Sequence, residues 1–191
     1  MTVREDQKEK RRQEILSAGL TLFIQKGYSG TTIKDIATTV GMSVGLLFHY
    51  FASKEALYLE LVKLGVEGPM SSLQPNGLAP MAFFEATAER ILDLIQTKPF
   101  VAQMFALMHQ AFVSSDIPAS VKQLLIGMDV YTPTAEIIRS GQVQGTIRKG
   151  DPVALSIAFW SAIQGIAETL AMHPELPCPK GEWITDILKA N

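Results

Sequence analysis

The stretch Ile33-Lys-Asp-Ile-Ala-Thr-Thr-Val-Gly-Met-Ser-Val-Gly-Leu-Leu-Phe-His-Tyr50 decides how this chain is read. Two short helices joined by a tight turn need a small residue where they cross, a residue free to adopt a left-handed backbone in the turn, and apolar anchors on the facing sides. Ala37 is small, Gly41 follows four positions later, and Ile36, Val40, Met42, Leu47 and Tyr50 fall where inward anchors belong. Thr32 can cap the first helix and Ser43 the second, because a side-chain hydroxyl accepts from a backbone N–H left unpaired at a helix start. Such a unit lays its second helix in the major groove of DNA, with side chains near that helix's start reaching base edges. Here those are Ser43, Val44, Gly45, Leu46 and His49. The competing reading is an all-α small-molecule carrier or enzyme in which the hairpin is merely structural, since the pattern alone is only moderately specific.

Outward from this stretch, helical spacing dominates. From about Lys8 to Lys26, Ile15, Ala18 and Leu22 lie beside Leu16, Gly19 and Phe23 as one apolar face, and Gly27 supplies a stop. The spacing predicts helices over 32–40, 43–51 and 53–64, a junction over 65–80 rich in Gly and Pro, then helices over 81–97, 100–114, 119–140 and 152–172, with a short one near 183–189. No stretch alternates with period two, so an all-α fold without a sheet is expected.

Extended to Leu57, the segment reads Met42-Ser-Val-Gly-Leu-Leu-Phe-His-Tyr-Phe-Ala-Ser-Lys-Glu-Ala-Leu57, preceded by Thr31-Thr-Ile-Lys-Asp-Ile-Ala37 and a basic amphipathic first helix. It resembles the TetR family of bacterial transcriptional regulators, whose usual pattern here is Val-Ser-x-Gly-x-Leu-Tyr-x-Tyr-Phe-x-Ser-Lys-Glu-x-Leu. The resemblance implies an N-terminal three-helix DNA-binding domain over 1–55 and a helical ligand-binding and dimerisation domain over 56–191. It also implies a cytoplasmic homodimer on a palindromic operator, usually repressing and responding to a small-molecule effector. Carried over by position, Thr32, Tyr50 and Lys54 hold phosphates, while Lys34, Ser43, Val44, Gly45, Leu46 and His49 face the groove. Phe48 stands where the family usually has Tyr, removing a hydroxyl. Leu46 replaces the small polar residue often found there, which points to apolar contact with a thymine methyl.

Composition agrees with a soluble domain: of 191 residues 47% are hydrophobic and 19% charged, which excludes disorder. The single Cys178 cannot form an intramolecular disulfide, and the charged opening from Met1 to Gln13 is not a secretory signal. The net charge of −2 conceals polarity, because residues 1–63 hold nine basic against seven acidic side chains. An arm of Lys8, Lys10, Arg11 and Arg12 can add phosphate contacts, although Glu5, Asp6 and Glu9 make a solvated helix start equally consistent.

Residues 152–172 hold one charge, Glu168, yet Ser156, Ser161, Gln164 and Thr169 interrupt the apolar run, and Asp151-Pro152 is a soluble helix start, so no membrane span is expected. A helix apolar nearly all round needs cover on every side. Ala158, Ser161, Ala162, Gly165 and Thr169 form a small-residue stripe, and Trp183, Ile184, Ile187 and Leu188 an apolar one; together they predict a twofold dimer interface. Large adaptable side chains, Phe84, Met104, Phe105, Met108, Phe112, Phe159 and Trp160, with His109, Tyr131 and Gln164 as polar handles, are the candidate lining for a largely apolar or aromatic effector. Glu85, Glu89 and Asp93 share one helix face and read as solvated, and the three histidines and lone cysteine make no metal-ligand spacing. Neither a cofactor nor an enzyme activity is expected.

Overall fold

The structure is a computed structural model that describes residues 3–72 and 77–190, with residues 69–72 as backbone. Among the described residues there are ten helices and no strand: α1 (Val3–Gly30), α2 (Ile33–Thr39), α3 (Val44–Phe48), α4 (Lys54–Ser72), α5 (Pro80–Thr97), α6 (Pro99–Val113), α7 (Ala119–Ile126), α8 (Tyr131–Val143), α9 (Pro152–Met172) and α10 (Gly181–Thr185). Two compact units result, Met1–Val66 with Ala106–Gly127, and Glu67–Phe105 with Met128–Asn191. They do not coincide with the expected functional division after residue 55, because α4 runs unbroken through that point and residues 106–127 join the N-terminal helices.

In the first unit, Ile15, Leu16, Leu20 and Phe23 of α1 are fully buried together with Ile36, Leu47, Leu57 and Leu61. Gly19 permits a close approach of α1 to α4: a Cβ built there would stand 2.6 Å from Leu57 Cδ2. At Gly27 (φ 72°) α1 kinks, where the sequence predicts a stop. The kink brings Tyr28 beside Phe23 and Tyr58, with ring centroids 6.1 and 4.9 Å away. Residues 106–127 are tied to this unit by Gln110 Nε2 donating to Ile24 O at 2.9 Å and Ser120 Oγ donating to Glu55 Oε1 at 2.6 Å.

The second unit packs α5, α8, α9 and α10 around Phe83, Phe84, Ile138, Phe159, Ile163 and Ile184. Its buried polar groups are satisfied internally, as burial requires. Trp160 Nε1 donates to Thr134 Oγ1 at 3.1 Å, and Ser156 Oγ lies 2.6 Å from the same hydroxyl.

Several boundaries depart from the sequence reading for local reasons. The span 119–140 is two helices, since Asp129 Oδ1 accepts from the N–H groups of Tyr131 and Thr132 (2.9 and 3.0 Å) and so begins α8 afresh after Gly127. Conversely, α4 continues past Gly65 and Gly68 to Ser72. A glycine costs a helix interior only about 1 kcal/mol, which packing overrides, and Gly65 is buried. Helix α3 ends early, with His49 N and Tyr50 N donating to Leu46 O and Leu47 O in a tightened last turn.

Candidate nucleic-acid interface

Two caps position the pair α2–α3. At the start of α2, Thr32 Oγ1 accepts from Asp35 N at 3.1 Å and donates to Asp35 Oδ2 at 2.7 Å, while Thr32 N donates to the same carboxylate at 2.9 Å. This reciprocal box satisfies two otherwise unpaired donors. Those bonds, led by the Thr32 hydroxyl and reinforced by the Lys26 ammonium 3.4 Å away, hold the Asp35 carboxyl below its ordinary pKa. Gly41 turns the chain at φ 64°, a left-handed value that suits glycine, and Met42 N donates back to Ala37 O at 2.9 Å. Ala37 is buried at the crossing. Ser43 then caps α3, its Oγ accepting from Leu46 N at 3.2 Å.

On α3, Leu47 points inward with no exposure, whereas Val44, Leu46 and Phe48 are 37%, 46% and 48% exposed. Ser43, Gly45 and His49 are also exposed, as are Thr32 and Lys34 on α2, and Tyr50 is half-buried. The expected groove-facing residues thus share one stretch that is exposed among the described residues. Phe48 belongs with them although it was not among the candidate contacts. Its position four after Val44 is the signal that places both on one helix face.

Lys54, expected at a phosphate, is bonded within the fold. Its Nζ donates to Tyr28 O at 2.7 Å and Thr31 O at 2.9 Å, and sits 4.2 Å above the Tyr28 ring. A half-buried ammonium with two carbonyl acceptors and an aromatic face is engaged by the fold. The basic arm divides likewise. Arg12 forms a forked pair with Glu60 of α4 and lies over the Phe51 ring at 4.9 Å, and Arg11 donates to Val40 O at 3.0 Å, at the C-terminal end of α2. Lys8, Lys10 and Lys34 are exposed.

Residues 15–61, which contain the α2–α3 pair and its caps, match the family model described as "Bacterial regulatory proteins, tetR family". Over these residues the chain carries a TetR-type DNA-binding domain. It is 26% identical over 180 residues to the HTH-type transcriptional regulator RutR of Escherichia coli K12, covering 92% of this chain and 81% of that protein. Over 68 residues it is 40% identical to the HTH-type transcriptional repressor AcnR of Corynebacterium diphtheriae, covering 36% of each chain. A solved TetR-like transcriptional regulator from Rhodococcus sp. RHA1 shares the fold, with a TM-score of 0.72, 20% identity, and coverage of 93% of this chain and 92% of that one. The protein is a DNA-binding transcriptional regulator, and its relatives are regulators, not enzymes.

Elsewhere in the chain, α9 is long and apolar enough to cross a membrane, yet only 28% of its most apolar window is buried. The uncovered side carries Val153, Ile157, Ser161, Gly165 and Thr169, each four residues after the last, and all exposed. Thr169 Oγ1 donates to Gly165 O at 2.8 Å, which hides its polar group and leaves a smooth face. Ala158 and Ala162 flank this row half-buried. Val153 and Ile157, 43% and 46% exposed, extend the expected stripe by the same four-residue step. On the C-terminal segment Trp183 is 60% exposed and Ile187 half-buried, but Ile184 and Leu188 are buried in the core, so the apolar stripe read there is split between two faces.

The candidate effector residues fall in both units. Met108, His109 and Phe112 belong to the first unit and the other seven to the second. Phe84, Phe159 and Trp160 are buried core side chains packed edge-on, with centroids 4.9 and 5.4 Å apart. Met104 and Met108 are buried, Phe105 and Gln164 half-buried, and His109, Phe112 and Tyr131 exposed. Gln164 Nε2 donates to Phe105 O at 3.1 Å and to Glu168 Oε1 at 2.6 Å. A recess of about 720 Å³ lies instead among Glu85, Glu89, Asp93, Cys178 and Lys180. Among the described residues no group of three or more His, Cys, Asp or Glu could hold a metal ion.

Proposed function

We propose that this regulator is a cytoplasmic homodimer that represses from a palindromic operator and responds to a largely apolar or aromatic small molecule. The observation that carries the reading is α3 itself: capped, anchored by Leu47, and exposed along Val44, Leu46, Phe48 and His49. Exposed apolar side chains on a short capped helix are costly unless a partner covers them, and the major groove admits a helix of this size. Ser43, Val44, Gly45, Leu46, Phe48, His49 and Lys34 face the groove in this reading. Thr32 and Tyr50, with Lys8 and Lys10, approach the backbone, and Lys54 holds the domain in shape.

The uncovered α9 face supports the dimer. Its small and apolar side chains suit a second copy of the same helix, and a twofold pair of heads reads two half-sites whose contributions roughly add. The methionine and aromatic content of the second unit supports an apolar effector. The effector must bind one spacing of the heads better than the other, and a coupling of about 1 to 3 kcal/mol changes DNA affinity about 5- to 150-fold.

Footprinting on DNA flanking the protein's own gene, with sedimentation of the free protein and a screen of apolar compounds for altered binding, tests all three parts. Sequence-specific, salt-sensitive protection of a symmetric site is expected. A protein that fails to retard any such fragment is not acting through this interface.

A further inference from the structure

The groove-facing surface of α3 is almost entirely apolar, and this carries a consequence for the bases it reads. Val44, Leu46 and Phe48 are 37%, 46% and 48% exposed on a helix of five residues. Gly45, between them, has no side chain, and nothing lies within 4 Å of where a Cβ would stand, so the backbone can come close to its partner. Ser43 is engaged as the cap, its Oγ accepting from Leu46 N. The remaining polar group is His49, at the far end of the helix.

Base edges in the major groove present donors and acceptors at guanine, adenine and cytosine, and thymine alone adds an apolar group, its C5-methyl. An aliphatic or aromatic side chain set against a purely polar edge removes water from donors and acceptors and returns no hydrogen bond. Set against a thymine methyl, it buries apolar surface on both sides. We propose that each half-site contains thymines whose 5-methyl groups pack on Leu46 and Phe48, with Val44 beside them, and that this apolar contact sets the base preference under α3. The inference rests on the groove-facing reading of α3 given above and names what that surface recognises.

The test begins with the unaltered full-length protein and a duplex selected by it from a random-sequence library. Each thymine of that duplex is replaced in turn by deoxyuridine, which deletes the methyl and leaves base pairing intact. Loss of one methyl contact is expected to weaken binding about fourfold at one or more thymines per half-site, the fold-change that burial of one methyl-sized group produces. The salt dependence should not move, because phosphate contacts are unchanged. Repeating the series with Leu46→Ala and with Phe48→Ala should abolish the deoxyuridine penalty at the thymine each side chain covers. Sequence-specific binding that tolerates deoxyuridine at every position overturns the inference, as do penalties that persist undiminished in both variants. Failure of the unaltered protein to select any duplex overturns the underlying groove-facing reading instead. Because the deoxyuridine series alters only the DNA, misfolding of a variant cannot mimic or mask its result.

Discussion

Lys54 reaches back across the first unit to donate from Nζ to Thr31 O at 2.9 Å, fastening the first turn of α4 to the residue that precedes the α2 cap. Tyr28 O accepts a second bond at 2.7 Å, and Thr31 Oγ1, itself buried, donates to Leu22 O and Gly27 O at 3.1 and 2.8 Å. The kinked end of α1, the entry to α2 and the start of α4 are therefore joined through one ammonium. Hydrogen bonds to charged groups contribute about 1.5–3 kcal/mol.

Lys54→Met, which keeps the stem and deletes the charge, should lower the unfolding free energy by about 2 kcal/mol on that basis. DNA binding should weaken through loss of ordered α2, with the logarithmic salt dependence unchanged. A lysine that neutralised a phosphate would instead flatten the slope by about 0.9 on removal. Thermal melts and a salt titration of binding separate the two roles, and an unchanged melt with a flattened slope would restore the phosphate assignment.

The α9 face yields a second prediction. Nothing lies within 4 Å of a Cβ built on the exposed Gly165, so the side chain of Gly165→Leu starts into open space in the isolated chain. Leucine also favours helix over glycine by up to about 1 kcal/mol, so the monomer should melt no lower than its parent. In a close helix pair the same side chain overpacks, at a cost of about 1–3 kcal/mol per site. Sedimentation equilibrium should show dissociation toward monomer at concentrations where the parent is dimeric. A variant that stays dimeric would move the interface off this row.

What was legible in advance follows from how local each signal is. The α2–α3 pair was readable because its caps, turn glycine and crossing alanine all act within a few residues, and Thr32, Ser43, Ala37 and Gly41 occupy those roles in the structure. The bonds of Lys54 were not readable because its acceptors are backbone carbonyls 23 and 26 residues away, which no side-chain pattern reveals. The same holds for Arg12, whose partner Glu60 lies 48 residues on, and for Gly19, whose value is its closeness to Leu57. In the second unit, aromatic spacing identified large buried side chains but could not tell a filled core from a lined cavity, since both demand the same residues.

Tyr58 gives a pH-dependent expectation. Burial, with the neighbouring Tyr28 adding to it, pushes its phenol up to about 12. A folded value above the unfolded one means that the associated stability is fully present below pH about 10 and is lost as pH rises through the folded pKa. Phenolate absorbance should therefore show a late-titrating tyrosine accompanied by unfolding, and Tyr58→Phe should remove that late component. A variant with the same alkaline profile would assign the late component elsewhere.

The Asp35 carboxylate behaves oppositely. Its folded pKa lies below the ordinary value, first through the hydrogen bonds from Thr32, so the stability it contributes is present above the unfolded pKa and lost as pH falls through the folded one. Protonation would turn an acceptor of two Thr32 donors into a poorer partner and loosen the first turn of α2, which leads directly into the recognition turn. Asp35→Asn keeps the shape of the box and removes its titration. The variant should melt lower than the parent at neutral pH, and the gap should close as both are taken below the carboxylate range. Melting curves across that range decide the matter, because a gap that stays constant on acidification would mean that the charge of Asp35 plays no part in holding the helix start.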